Sequence, residues 1–277
     1  MFWQTSRHRI DLTRPRVMGI VNVTPDSFSD AQPLLDARLA LARCEALLRE
    51  GADLLDIGAE SSRPGAMPVA LEDELARLLP VLRVALTLGC PVSVDTTKPA
   101  VMRRVLELGV DIVNDIRALG EPGALEAVAA HPACGVCLMH MRGAPATMQA
   151  EPLDGEDAVG RIAAFLGERI EAATRAGVAA ERIVIDPGVG FGKSAATNLA
   201  LLRRQPELLA LGRPLLIGWS RKSTLGKLTG RAVGERQSAS VAAALASVLA
   251  GASLLRVHDV AQTVDALAVW RAAGLTP

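Results

Sequence analysis

Eight times along the chain a short apolar run stops at a polar residue near a turn. The runs are 17–23, 54–57, 91–94, 112–113, 136–139, 183–185, 215–217 and 254–255. Continuous apolar runs of this length predict strands buried on both faces, as in parallel sheets. Between them lie helical patterns, with 34–50, 71–88 and 158–176 halting at Gly51, Gly89 and Gly177, the usual helix-stop signal. Pro99 suits the first turn of a helix that closes at Gly109. Eight strands alternating with helices over roughly 250 residues predict a (β/α)8 TIM barrel. We read 1–277 as a single domain, with 1–15 as an N-terminal extension. An open doubly wound sheet is the alternative, and it lacks a dinucleotide signature here.

The polar residues follow one rule. Asn22, Asp56, Asp95, Asn114, His140, Asp186, Ser220 and the pair Arg256/His258 fall at or near the C-terminal ends of the predicted strands. In a closed barrel those ends form one face, where sites are built. One aspartate at a strand-to-helix turn more often caps the next helix; three at one rim favour a ligand.

Other chemistries fail on spacing or composition. Thirty basic and thirty acidic residues give no net charge, against an electrostatic nucleic-acid binder. The N-terminus has no apolar signal region, and four scattered cysteines form no disulfide framework. A reducing cytoplasm is the expectation. The uncharged stretch 238–255 is rich in Ala and Ser and holds Gly251, so it predicts a packed helix and a short strand, not a membrane span. A Walker motif would need glycine where Pro187 stands, and Gly188, Gly190 and Gly192 break the dinucleotide spacing. Cys134 and Cys137 have redox-motif spacing, but Cys137 falls in a strand, so both read as ordinary thiols.

Asp95, Asn114 and Asp186 together suit a flat heterocycle with a guanidine-like edge, since carboxylates accept paired N–H bonds. Lys222 adds a cation for a ring carbonyl or nitrogen. Arg63, Arg256 and His258 suit a diphosphate, because guanidinium grips phosphate oxygens as a fork. Asn22, with a loop aspartate, offers hard oxygen to Mg²⁺. Phe191 can cover an aromatic substrate. The bland readings are an exposed loop charge for Arg63, an ion pair with Asp259 for Arg256 and His258, and a core aromatic for Phe191.

Eight motifs carry a resemblance: MGIVNVTPDSFSD at 18–30, GAESSRPG at 58–65, VDTTKP at 94–99, NDI at 114–116, MHMRG at 139–143, DPGVGFGK at 186–193, SRKS at 220–223 and RVHD at 256–259. Together they resemble the bacterial dihydropteroate synthases of the pterin-binding enzyme family. That resemblance implies condensation of 6-hydroxymethyl-7,8-dihydropterin diphosphate with p-aminobenzoate in folate biosynthesis. It implies that Asp95, Asn114, Asp186 and Lys222 hold the pterin, that Ile116 and Met139 line its slot, and that Arg256 stacks on it. Asn22 would bind Mg²⁺ and diphosphate, helped by Arg63, Arg256 and His258. Ser62, Pro64, Phe191, Lys222 and Ser223 would surround the aminobenzoate, where sulfonamides compete. Two glycine-, proline- and serine-rich loops would close over the site.

Three positions depart from the family pattern. Ser62 stands for the common threonine, Val189 for a frequent phenylalanine, and Ala31-Gln32-Pro33 for glycines, which implies a stiffer first loop. A homodimer through the helix at 238–251, testable by a charge at Ala243, also follows from the resemblance. Two other readings share the barrel: a methyltetrahydrofolate-dependent methyltransferase, which has no need of the diphosphate set, and a paralogue that binds pterin without turnover.

Overall fold

The computed structural model describes residues 1–23 and 33–275. Residues 24–32, on which the expected loop aspartate and the stiffening at Ala31 and Gln32 fall, lie outside the described residues. An N-terminal pair, β1 (Phe2–Gln4) and β2 (Arg9–Asp11), precedes eight parallel strands: β3 (Arg16–Asn22), β4 (Leu54–Gly58), β5 (Val92–Asp95), β6 (Ile112–Asp115), β7 (Gly135–Met139), β8 (Ile183–Asp186), β9 (Leu216–Ile217) and β10 (Leu254–Val257). Helices α1 (Pro33–Arg49), α2 (Leu71–Ala85), α3 (Pro99–Leu108), α4 (Ala124–Ala129), α5 (Ala158–Arg175), α6 (Ala195–Arg204), α7 (Ser223–Thr229), α8 (Gln237–Leu249) and α9 (Val260–Ala272) alternate with them.

The strands pair in the order β8-β7-β6-β5-β4-β3-β10-β9. The ring is closed by a parallel bridge between Ile185 and Leu215, where the Ile185 N–H donates to the Pro214 carbonyl at 3.0 Å. The sheet is thus the expected (β/α)8 barrel. Pro214 has no N–H to give, which keeps β9 short.

Alternation along each strand sorts the side chains. Leu54, Ile112, Val184 and Leu254 point inward and pack with Met18 and Leu216 in a core inside the barrel. Two residues further along the same faces come Asp56, Asn114, Asp186 and Arg256. Their neighbours Leu55, Val113, Ile185 and Leu255 point outward into the helix layer. The barrel is therefore apolar below and polar above.

The N-terminal extension is a plug. Trp3, fully buried, seats in the inner core and its indole N–H donates to the Arg182 carbonyl at 2.9 Å. The stretch 238–255 is a helix and a strand as expected, and no described helix is long and apolar enough to cross a membrane. Ala243, however, is 7% exposed and faces inward with Ala244, Ser247 and Val248. A charge there would break the helix packing rather than report on a dimer.

Candidate active site

A cavity of about 580 Å³ opens at the C-terminal rim, and every site residue named from the sequence lines it, from Asn22 on β3 to His258 after β10. Register explains the convergence. Asp95 on β5 pairs with Asn114 on β6, and Met139 on β7 with Asp186 on β8, while Asn114 pairs with Cys137, so the second pair lies two residues further along its strands and both pairs still reach the cavity. Several polar residues expected just beyond the strands are their last members, since ladder pairing is made by backbone and is indifferent to the side chain.

Beneath them lies Asp56, fully buried. Its Oδ2 accepts from Arg256 Nε at 2.6 Å and from Asn114 Nδ2 at 3.1 Å, while Oδ1 has no partner among the described residues. Arg256 Nη2 also donates to Asp95 Oδ2 at 2.9 Å. The guanidinium fork thus bridges two carboxylates below the pocket. Burial pushes the Asp95 carboxyl up to about 7, with Arg256 opposing the rise and Asp56 adding to it. Burial also raises Asp186, whose Oδ1 accepts the Gly188 N–H at 2.7 Å.

Lys222 lines the cavity near Asp186. Its ammonium lies 3.9 Å from the Phe191 ring centroid, a cation–π contact. Burial lowers it to about 8, with Asp186 holding it back from a larger fall. Phe191 is therefore a wall of the cavity rather than a core aromatic. Ser62 is partly exposed, and Arg63 and Pro64 are exposed, all on the loop after β4.

The pairing expected of Arg256 and His258 with Asp259 does not occur. Asp259 takes Arg221 instead, at 2.6 and 3.1 Å, because Arg256 points inward on its strand. His258 Nδ1 meets Ser220 Oγ at 2.9 Å, and burial together with the Arg256 and Arg221 charges pushes the imidazole down to about 3. His258 is neutral near pH 7, a hydrogen-bonding group more than a cation.

Lys193 was not singled out from the sequence. It is 2% exposed, and its Nζ donates to the carbonyls of Gly188, Phe191 and His140 at 2.8, 3.0 and 3.1 Å. It knots the glycine-rich loop instead of cradling a phosphate, in line with the failed Walker spacing. The only hint in the sequence is a lysine directly after three alternating glycines. Asp115 caps its own loop through the Arg117 and Leu119 amides, at 2.8 and 2.7 Å. Cys134 and Cys137 are buried free thiols.

Known proteins match this chain along its length. Residues 18–258 match the family model of pterin binding enzymes. The dihydropteroate synthase of Neisseria meningitidis serogroup B is 52% identical, over 99% of this chain and 98% of its own. Among solved structures, the dihydropteroate synthase of Xanthomonas albilineans with 4-aminobenzoic acid has 48% identity and a TM-score of 0.92, covering 100% of both chains. That of Burkholderia cenocepacia complexed with 7,8-dihydropteroate has 48% identity and a TM-score of 0.90, covering 99% of this chain and 96% of its own. With a family model spanning nearly all the barrel and relatives of this identity along their full length, the chain belongs to the pterin-binding enzymes, among the dihydropteroate synthases.

Proposed function

We propose that the rim cavity condenses 6-hydroxymethyl-7,8-dihydropterin diphosphate with p-aminobenzoate, giving 7,8-dihydropteroate and diphosphate. The observation that carries this reading is the convergence of Asp95, Asn114, Asp186 and Lys222 on one cavity, with Arg256 bonded to Asp95. Acceptors lining one cavity suit the N–H edge of a pterin, and Ile116 and Met139 give it apolar faces. Arg256 serves mainly as counter-charge to Asp56 and Asp95, under the ring.

The methylene C–O bond breaks with its electron pair leaving on diphosphate. The amine nitrogen of p-aminobenzoate then bonds the methylene carbon and sheds a proton. Carboxylates near the pterin stabilise positive charge that develops on it. Arg63 and His258 receive the departing oxygens; Ser62, Pro64, Phe191, Lys222 and Ser223 wall the aminobenzoate.

The donor set fits a lightly held Mg²⁺. Among the described residues no cluster of three His, Cys, Asp or Glu forms a cage, and Asn22 offers one hard amide oxygen at the rim. That suits an ion ligated largely by substrate phosphates. When bound it would neutralise charge on the diphosphate.

Incubating the protein with both substrates and Mg²⁺ and following diphosphate release tests the reaction; pterin binding without release would favour the non-catalytic paralogue. Asp186→Ala should abolish pterin binding in a titration, and wild-type affinity would refute the pterin assignment. We further read the chain as a cytoplasmic homodimer associating through the exposed side of α8, where Leu249 is 64% exposed. Leu249→Glu should shift sedimentation to the monomer, and cell fractionation checks the compartment.

A further inference from the structure

Beside the reaction cavity lies a second one of about 290 Å³, between the loops after β4, β5, β6 and β7. The two share Glu60, Ser61, Ser62, Asp95 and Ile116. The segment 60–62 is thus a partition with open space on both sides. A partition with open space on each side gains little from packing, because dispersion contacts need atoms on each face. Polar tethers must hold it.

Among the described residues, two polar contacts tie 60–68 to the rest of the protein. One is backbone: the Gly65 N–H donates to the Pro145 carbonyl at 3.0 Å. The other is ionic: Lys98 Nζ donates both to Glu60 and to Glu74 Oε2, the latter at 2.5 Å. Glu74 is fully buried on α2, and its other oxygen accepts from Thr96 Oγ1 at 2.6 Å. Thr96 directly follows Asp95, and its amide donates to the Asn114 carbonyl at 3.1 Å. A rigid base, Glu74 with Thr96, therefore fixes Lys98, and Lys98 reaches out to the loop.

We propose that Lys98, seated on Glu74, is a positioning residue that latches the wall 60–64 through Glu60 and so sets the affinity for the aromatic amine substrate. The inference rests on reading Ser62 and Pro64 as walls of the aminobenzoate site. The two halves of the latch differ in kind. Glu60 and Lys98 side chains are 26% and 24% exposed, whereas Glu74 is sealed. Removing the Glu60 charge leaves Lys98 paired and the fold intact. Removing Lys98 strands a buried carboxylate.

Glu60→Gln is the test. Amide exchange followed by mass spectrometry should quicken across 61–67, and the KM for p-aminobenzoate should rise about five-fold, as the loss of one partly exposed ion pair predicts. The KM for the pterin diphosphate and the melting temperature should stay near wild type, and Glu60→Asp should recover part of the affinity. Lys98→Met should both loosen the loop and lower the melting temperature. Unchanged exchange in Glu60→Gln, or a fall in its melting temperature equal to that of Lys98→Met, overturns the latch. Faster exchange with an unchanged KM overturns its role in affinity. Failure of the underlying reading looks different: Ser62→Ala and Pro64→Ala would then also leave the aminobenzoate KM unmoved.

Discussion

Arg256, from the last barrel strand, bridges Asp56 and Asp95 from the second and third, at 2.6 and 2.9 Å. The three are drawn from positions up to 200 residues apart, and the pairing of the last strand with the first brings them together. Arg256→Met would leave two carboxylates beneath the pterin pocket with no cation between them. Breaking a buried pair this way costs about 3 kcal/mol, read as a fall in denaturant midpoint. Adding Asp56→Asn should restore part of it. Arg256→Lys should not, since one ammonium cannot serve both carboxylates as a planar fork does.

The two titrating groups of the cavity predict a narrow bell for kcat/KM against pH. Asp95, pushed up to about 7, must lose its proton to accept from the pterin. Lys222, pushed down to about 8, must keep its own. Activity therefore rises with pH through the first value and falls through the second. The two groups feel each other, so the apparent values belong to the pair. Lys222→Arg, which stays charged, should remove the alkaline limb; its survival there would assign that limb to another group.

Much of this architecture was legible because barrel strands advertise themselves. A strand buried on both faces must be apolar throughout, and a polar residue at its end stands out. Asp95, Asn114 and Asp186 were found this way, and alternation from Ile112 to Asn114 or Val184 to Asp186 turned them inward. The N-terminal pair was not legible as strands: three-residue strands lie among charges from Arg7 to Arg16, too short for any period to emerge. Partner choice was hidden as well. Nothing in RVHD says that Arg256 turns inward while Arg221 takes Asp259, since that depends on which face of β10 each residue occupies. Lys193 does not stand out because its work is to hold other groups, and the sequence places Asp56 at the rim without showing what it holds, since such roles leave no spacing signature.

Gly188 is required by space as well as by conformation. Its φ is +69°, and a Cβ there would fall 2.0 Å from the His140 carbonyl oxygen and 3.2 Å from Lys193 Nζ. Gly188→Ala should cost about 3 kcal/mol or more, as overpacking adds to backbone strain, and should weaken pterin binding through Asp186, whose carboxylate the Gly188 amide holds. Gly65 has φ +82° with nothing within 4 Å of its Cβ position. Gly65→Ala should cost only about 1 kcal/mol. Thermal melts of the two variants separate the contributions.

His140 makes the fold sensitive to acid. It is 8% exposed, its Nδ1 has no partner among the described residues, and its ring meets Phe165 edge-on at 5.0 Å. Burial, with Lys193 and Arg161 adding positive charge, pushes the imidazole down to about 3. The folded state therefore stays unprotonated in a range where the unfolded chain, titrating near 6.5, takes up a proton. Stability from this group is fully present above pH 6.5 and is lost as pH falls toward 3. Between pH 6.5 and 4.5 the loss amounts to about 2 kcal/mol. Other groups also drive acid unfolding, His258 among them, so wild type alone cannot isolate the effect. His140→Gln cannot titrate: its denaturant midpoint should fall less than that of wild type over this interval, and parallel curves would show that the imidazole takes up its proton in the folded state as readily as in the unfolded one.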